Sequence, residues 1–332
     1  MNARPNPVLA VRDLEVVYPG HPPVRALRGV SFELFAGEVV GLVGESGCGK
    51  STIARVLTGL VAPSGGVAEY LGKPISPLGV GRRPLELTGI QMVFQDPGSS
   101  LNPRRRVGAQ IQDGLDLAQR RRRGHLTSHG GAVAGSGALP EPGALPEPGA
   151  VAGLGGVAGS GAQPTGIAQP DGGPVRLDTP EDWLVRVGLE AGDAKRFPRS
   201  FSGGQRQRIA TARALAAAPE VLIGDEPISA LDASTQARVA YLMSSLAQSQ
   251  NTALLFISHD LSVVRLIADR LIVMWAGRIV EAGPTESVWS NPGHPYTKSL
   301  LAAIPLPDGA GRLPAPAGPT GEFSAPPVFH TS

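Results

Sequence analysis

The segment from Gly44 to Ser51 constrains this 332-residue chain most, because it matches the phosphate-loop pattern G-x-x-x-x-G-K-[ST] at every fixed position. Glycines in such a loop let successive backbone N–H groups turn toward phosphate oxygens. Lys50 adds a positive charge, the Ser51 hydroxyl can hold Mg²⁺, and the N-terminus of a following helix favours an anion. The segment therefore makes a nucleoside triphosphate the first ligand to consider.

Both flanks of the loop fit a phosphate site. The apolar run at 38–43 predicts a buried parallel strand before the loop, and apolar residues at helical spacing follow it. Pro63 and the Gly65-Gly66 pair predict that this helix ends near Leu60. A chance match to the motif would lack these flanks.

Composition narrows the class of protein. The length allows one large or two modest domains, and a 42% hydrophobic content is sufficient for a core. No apolar stretch approaches the roughly 20 residues of a membrane-spanning helix, and the N-terminus lacks a signal-peptide pattern, so we expect a cytoplasmic protein. Cys48 is the only cysteine, which excludes an internal disulfide. A net charge of +2 does not require nucleic acid as a partner.

Short apolar strands alternate with helix-like segments at about 8–95 and again at about 202–289, which is typical of one α/β domain with a mainly parallel sheet. Between them, about 124–174 is rich in Gly, Ala and Pro and repeats the sequence ALPEPG. We interpret it as a disordered insertion that serves as a spacer or binds a partner. Order should return at Thr179-Pro180, a helix N-cap pair, and a loose tail should follow Ile304.

Two acidic residues, Asp225 and Glu226, follow the apolar run at 221–224. Asp225 can bind Mg²⁺, through water, and Glu226 can polarise an attacking water. The alternative is an ordinary acid pair in a turn after a strand. A phosphate loop upstream favours the catalytic interpretation.

The segment Phe201-Ser202-Gly203-Gly204-Gln205 resembles the signature motif of ATP-binding cassette (ABC) ATPases. In that family the signature begins a helix and binds the γ-phosphate held by the opposite subunit, so that ATP lies between two head-to-tail domains. Small residues at a helix N-terminus suit close contact with phosphate. The resemblance implies an α/β fold of the ABC-type P-loop NTPase class, with a RecA-like core, an antiparallel β subdomain and a helical subdomain.

Other elements of the family follow in the expected order. Gln95 resembles the glutamine loop, and Asp232 resembles the aspartate loop that crosses the dimer interface. His259 resembles the switch histidine that contacts the γ-phosphate, and Tyr18 lies where the family places an aromatic ring against adenine. Read singly, Gln95 and His259 would be ordinary polar groups and Tyr18 a core residue. Their order along the chain favours a site.

The resemblance implies three overlapping sets of site residues. Catalysis is expected of Glu226, His259, Gln95 and Lys50. Mg²⁺ binding is expected of Ser51, Gln95 and Asp225. Contact with ATP is expected of Tyr18, Gly44, Glu45, Ser46, Gly47, Cys48, Gly49, Lys50, Ser51, Thr52, Ser202, Gly203, Gly204, Gln205 and Asp232.

The segments 94–104 and 293–308 are similar to the oligopeptide/dipeptide importer ATPases, a group that includes nickel importers. This resemblance implies a peripheral protein on the inner face of the cell membrane. Its expected partners are a second ABC ATPase subunit, two permease subunits and, indirectly, an extracytoplasmic solute-binding protein. The second ATPase subunit is either an identical copy or an unlike one, and the resemblance favours the unlike one. No nucleic acid partner is expected, and the transported solute is not determined.

Three alternatives remain open. An exporter ATPase is disfavoured by the 293–308 segment, and a soluble ABC protein acting on ribosomes or DNA is disfavoured by the single set of motifs. A regulatory module that binds ATP without catalysis is disfavoured by the presence of Glu226 and His259.

The resemblance also divides the chain. It implies that residues 1–96 and 202–289 form the RecA-like core with its β subdomain. It further implies that 97–201 form the helical subdomain with the insertion, and that 290–332 form a C-terminal extension and flexible tail.

Two residues depart from the family pattern. The pattern has a small residue larger than glycine where this chain has Gly224, and a leucine where it has Phe201. Many relatives carry a cysteine-rich C-terminal segment linked to an iron–sulfur cluster. This chain has no cysteine there, so no cluster is expected.

Two further features are chemically suggestive. Cys48 lies near Lys50 and a helix N-terminus, which favours a thiolate, although any small residue would also fit the loop. The arginine clusters at 104–106 and 120–123 are interpreted as solvated faces or as contacts with acidic lipid headgroups or a permease subunit.

Overall fold

The computed structural model describes residues 6–79, 83–96, 100–128, 179–304 and 327–330. Its strands are β1 (Leu9–Tyr18), β2 (Val24–Leu34), β3 (Val39–Val43), β4 (Gly65–Tyr70), β5 (Lys73–Pro74), β6 (Ile90–Val93), β7 (Val221–Asp225), β8 (Ala253–Ile257), β9 (Arg270–Trp275), β10 (Arg278–Pro284) and β11 (Val328–Phe329). Its α-helices are α1 (Lys50–Leu57), α2 (Val107–Ser128), α3 (Pro180–Arg186), α4 (Gly203–Ala216), α5 (Ala233–Ser249), α6 (Leu261–Ile267), α7 (Thr285–Ser290) and α8 (Pro295–Ala302).

A central sheet has the strand order β11-β10-β9-β3-β8-β7-β6. From β9 to β6 the neighbouring strands are parallel, whereas β10 pairs with β9 in the antiparallel sense. Because parallel strands end at the same edge of a sheet, the loops that follow β3, β6, β7 and β8 meet there. This edge collects the residues predicted for catalysis.

The two faces of the sheet are covered by different elements. On one face, alternate strand residues such as Leu254 and Phe256 pack with apolar residues of α4, α5 and α6. On the other, Val40 and Leu255 pack with α1 and with a second, antiparallel sheet of order β2-β1-β4-β5. Burial on both faces explains why β3 and β8 are continuous apolar runs. The expected α/β fold with a separate antiparallel sheet is therefore present.

Two helix boundaries differ from the sequence prediction and one agrees. Helix α1 ends at Leu57 rather than near Leu60, because Gly59 adopts a φ of 76° that stops the helical path. Helix α2 continues to Ser128, so the prediction of disorder from residue 124 is wrong for its first residues; 129–174 lie outside the described residues. The Thr179 N-cap of α3 is confirmed, because its side chain accepts a hydrogen bond from the Asp182 N–H.

The end of the chain departs from the prediction of a loose tail. Strand β11 pairs in parallel with β10, and the His330 backbone N–H donates to the Ala282 carbonyl at 2.8 Å. The His330 Nε2 atom also lies 2.6 Å from Glu281 Oε1. Val328–Phe329 are therefore a strand of the sheet, and the contacts of His330 with Ala282 and Glu281 hold its end. Residues 305–326 lie outside the described residues.

One arginine of the predicted basic clusters is not a solvated group. Arg121 is buried, donates to the Ala217 and Ala218 carbonyls and forms an ion pair with Glu220. Glu220 in turn accepts a 2.5 Å hydrogen bond from the Tyr70 hydroxyl. The arginine thus ties α2 to the segment before β7 and to the antiparallel sheet. No helix among the residues described is both long and apolar enough to cross a membrane.

Candidate functional site

The phosphate loop between β3 and α1 borders a cavity of about 310 Å³. Gly44, Gly47 and Gly49 have φ angles of 150°, 82° and 110°, which side-chain-bearing residues rarely adopt. A Cβ on Gly49 would also approach the Ala26 carbonyl oxygen to 2.6 Å. These glycines are therefore required by the shape of the loop. The residues that line the cavity are Val24, Arg25, Ala26, Arg28, Ser46, Gly47, Gly49, Lys50, Ser51, Thr52, Glu226, Ala276 and Gly277.

Lys50 brings a buried positive charge to this loop. Its side chain is almost fully shielded, and Nζ donates to the carbonyl oxygens of Gly44 at 2.7 Å and Glu45 at 2.8 Å. Both partners are neutral, so an anion that reached the ammonium would gain a strong interaction in a poorly solvated place. This arrangement is suitable for a phosphate group.

Ser51 and Asp225 connect the phosphate loop to the end of β7. The Ser51 hydroxyl donates to Asp225 Oδ1 at 2.9 Å. Burial raises the pKa of Asp225, and the hydrogen bond from Ser51 opposes that rise. A partly buried carboxylate beside a hydroxyl fits Mg²⁺, which commonly takes few protein oxygens and completes its coordination with phosphates and water. In the described part of the chain no three His, Cys, Asp or Glu residues form a group that could hold a metal alone.

The side chains of Gln95 and His259 approach the Glu226 carboxylate, and the three residues follow three neighbouring strands. Gln95 Nε2, after β6, lies 3.3 Å from Glu226 Oε2. His259 Nδ1, after β8, lies 3.6 Å from the same oxygen. Glu226 itself has a φ of 49°, and its N–H donates to the Ile257 carbonyl at 3.0 Å. The unusual backbone turn directs a carboxylate toward the cavity, where it can accept a proton from a water.

Two other predicted contacts are Tyr18, at the edge of the loop, and Cys48, within it. The Tyr18 hydroxyl is 3.5 Å from Thr52 Oγ1, which places this ring at the edge of the loop. Cys48 is buried, and burial raises the pKa of its thiol despite the nearby Lys50 charge. The expectation of a thiolate is therefore wrong, because desolvation outweighs the attraction of the ammonium.

The signature segment does not line the cavity beside the phosphate loop of the same chain. Ser202 caps α4, accepting from the Gln205 N–H at 3.3 Å, and the Gln205 side chain accepts from the Ser202 N–H at 2.9 Å. Asp232 caps the neighbouring helix α5, and hydrogen bonds from Ser234 and Thr235 lower its pKa. None of the residues Ser202, Gly203, Gly204, Gln205 and Asp232 lines the 310 Å³ cavity.

The two departures from the family pattern are accommodated by packing. A Cβ on Gly224 would lie 2.9 Å from Pro227 Cγ and 3.1 Å from Met243 Cε, so the glycine makes room for these side chains. Phe201 is buried, and the Arg196 guanidinium lies 4.6 Å from its ring centroid. Neither residue lines the cavity.

Sequence reasoning missed a tyrosine side chain that contacts the phosphate loop from a distant segment. The Tyr296 phenol oxygen accepts a 2.9 Å hydrogen bond from the Glu45 N–H, across 251 residues of sequence. Tyr296 belongs to the 293–308 segment, which the resemblance used only to identify a subgroup. No local spacing could have revealed this contact.

Comparisons with known proteins agree with these observations. The sequence model of the family described as "ABC transporter" matches residues 27–229, and that described as "Oligopeptide/dipeptide transporter, C-terminal region" matches 280–327. The di/tripeptide transport ATP-binding protein DppF of Pseudomonas aeruginosa is 39% identical over 90% of this chain and 79% of its own length. The oligopeptide transport ATP-binding protein OppF of Bacillus subtilis is 40% identical over 86% and 78%.

A solved structure supports the fold independently. It is a dimeric ATP-binding cassette in a post-hydrolysis state, bound to ADP and Pi. It superposes with a TM-score of 0.56 at 22% identity and covers 83% of this chain and 98% of its own. At that identity the likeness establishes the fold alone.

Proposed function

This chain belongs to the ABC transporter family, and on that basis we propose that it is the ATP-hydrolysing subunit of an importer for oligopeptides, dipeptides or a similar small solute. Relatives that match most of its length are di/tripeptide and oligopeptide transport ATP-binding proteins. The match at 280–327 favours this group over exporter ATPases and over ABC proteins outside transport. ATP binding and hydrolysis belong to the family as a whole.

The observation that carries the catalytic proposal is the meeting of Gln95 and His259 at the Glu226 carboxylate, beside the Ser51–Asp225 pair. Lys50 would stabilise phosphate charge, and Ser51 and Asp225 would hold Mg²⁺, which neutralises negative charge on phosphate oxygens when bound. Glu226 would accept a proton from the attacking water, which Gln95 and His259 orient.

The position of the signature segment supports a shared site. Ser202–Gln205 and Asp232 lie at the exposed N-termini of two helices, away from the cavity of their own chain. We therefore assign them to the nucleotide bound by a second ATPase subunit, where a helix N-terminus can meet the γ-phosphate. Tyr18, at the edge of the loop, is assigned to the adenine ring.

The remaining parts of the proposal concern the assembly. An unlike ABC ATPase subunit would complete the dimer, and two permease subunits would hold it at the inner face of the cell membrane. A solute-binding protein outside the membrane would deliver the solute to the permeases. No iron–sulfur cluster and no nucleic acid enter this proposal.

Replacement of Glu226 by Gln tests the proposed chemistry. The amide keeps the shape of the side chain but cannot accept the proton, so hydrolysis by the assembled complex should fall by about 100-fold or more. The affinity of the isolated chain for ATP, measured by calorimetry, should stay within about twofold. Glu286→Gln is a matched control, because Glu286 is exposed and pairs with Arg265 outside the cavity. Near-normal turnover in the Glu226 variant would refute its role as the base.

A further inference from the structure

We propose that Tyr296 is a positioning residue for nucleotide binding, which fixes the first peptide of the phosphate loop from outside the loop. The inference rests on the proposed ATPase function and adds a residue to its site. The contact that motivates it is the 2.9 Å hydrogen bond from the Glu45 N–H to the Tyr296 phenol oxygen. Tyr296 lies in the first turn of α8, within the segment matched by the C-terminal family model.

The peptide that Tyr296 holds is also the peptide on which Lys50 rests. The N–H of Glu45 and the carbonyl of Gly44 belong to one planar unit, and that carbonyl accepts from Lys50 Nζ at 2.7 Å. Fixing the N–H therefore fixes the direction of the carbonyl. Gly44 has no side chain that could do this, and a Cβ there would collide with the Met274 carbonyl oxygen at 2.2 Å. The restraint has to come from a neighbouring element.

Tyr296 is itself held firmly. Its side chain is 2% exposed, and its ring lies against Trp275 with centroids 6.1 Å apart. Burial raises the pKa of its phenol, so the hydroxyl remains protonated around neutral pH. Its backbone N–H donates to His294 Nδ1 at 3.2 Å, which fixes the start of α8. A tyrosine packed in this way restricts the loop without moving far itself.

A buried carboxylate anchors the turn that carries Tyr296. Glu281 on β10 is fully buried and accepts from the N–H groups of Gly293 at 2.7 Å and His294 at 3.0 Å. Glu281 also contacts His330, at the end of β11. The hydrogen bonds to Glu281 connect the C-terminal strand to the start of α8, and Tyr296 continues the connection to the phosphate loop. The C-terminal region thus supports the nucleotide site directly.

Tyr296→Phe tests the hydrogen bond to Glu45, because it keeps the ring and removes the phenol oxygen that accepts it. The Glu45 N–H then loses its acceptor, and the loop is less well ordered for phosphate. In the full-length chain the Kd for MgATP, measured by calorimetry, should rise about fivefold or more. Hydrogen exchange at the Glu45 amide should become faster. Tyr241→Phe is the matched control, because Tyr241 is 66% exposed on α5, and its Kd should match the wild type.

The outcomes separate the two proposals. If the wild-type chain does not bind MgATP, the proposed function fails. If it binds, but Tyr296→Phe binds within about twofold and leaves Glu45 exchange unchanged, only the role of Tyr296 is overturned. Should Tyr296→Phe fail to fold, the wild type decides, because its Glu45 amide must exchange slowly in the absence of nucleotide. Rapid exchange there would overturn the inference.

Discussion

The phosphate-loop side and the signature side of the predicted site are built in different ways. Lys50, Ser51, Asp225 and Glu226 come together within one chain, since their loops leave adjacent parallel strands at one sheet edge. The signature segment 202–205 instead begins a helix, and its polar groups are used in the helix cap. In our proposal the first region binds the nucleotide of its own chain. The second region is an exposed helix N-terminus that does not line the cavity of its own chain, and we propose that it meets the nucleotide of the partner subunit.

Ser202→Ala should distinguish these two regions, and its effect on hydrolysis should be larger than the effects on stability compared below. Loss of the cap should destabilise α4 by about 1 kcal/mol, while the MgATP affinity of the isolated chain should not change. Hydrolysis by the assembled complex should fall about tenfold, because a γ-phosphate contact is lost across the interface. Urea unfolding, calorimetry and an ATPase assay check the three parts.

Thr179→Ala is a control for the stability loss alone. Thr179 caps α3 through the same kind of reciprocal hydrogen bonds, but its helix has no predicted contact with nucleotide. This variant should lose about as much stability and keep its hydrolysis rate. Equal loss of hydrolysis in both variants would remove the distinction between the two regions.

Asp225→Asn should change the stability of the fold, and this effect should be smaller than the effect of Ser202→Ala on hydrolysis. Burial raises the pKa of Asp225, so its ionised form destabilises the ligand-free fold near pH 7. The neutral amide should increase the free energy of unfolding, whereas hydrolysis should be lost. As the pH falls through the raised pKa, the wild-type carboxyl takes up a proton and the difference should vanish. Unfolding titrations over a pH series measure this; destabilisation at pH 7 would contradict it.

The ionised Glu281 carboxylate has the opposite effect on the stability of the fold and serves as the contrasting control. Burial alone would raise the pKa of Glu281, but the nearby Thr297 hydroxyl and the hydrogen bonds from Gly293, His330 and His294 together lower it. Its ionised form therefore stabilises the fold above its unfolded pKa, and that stability is lost as the pH falls through the lowered value. Glu281→Gln should destabilise the chain at pH 7. The two carboxylates thus differ: Glu281 is stabilised in its ionised form by hydrogen bonds, whereas we propose that Asp225 is stabilised only when Mg²⁺ binds.

The sequence was informative where function depends on local patterns. The phosphate loop, the acid pair at 225–226 and the Thr179 cap each lie within a few residues, so their spacing predicted their geometry. Contacts between distant segments were missed, such as Glu45 with Tyr296 and Glu281 with His330, because no local period records them. The thiol of Cys48 was misjudged for another reason: burial and charge act against each other, and their balance depends on packing.

The central claim is that one chain supplies one side of a composite ATPase site. The most direct test uses a dilution series of an active preparation. At each dilution it measures the hydrolysis rate per chain and the mass of the protein particles, which shows whether the chain is assembled or alone. We predict that the rate per chain falls as the particles dissociate to single chains, although each chain still binds MgATP. A rate that stays constant when the chain is alone in solution would contradict the account.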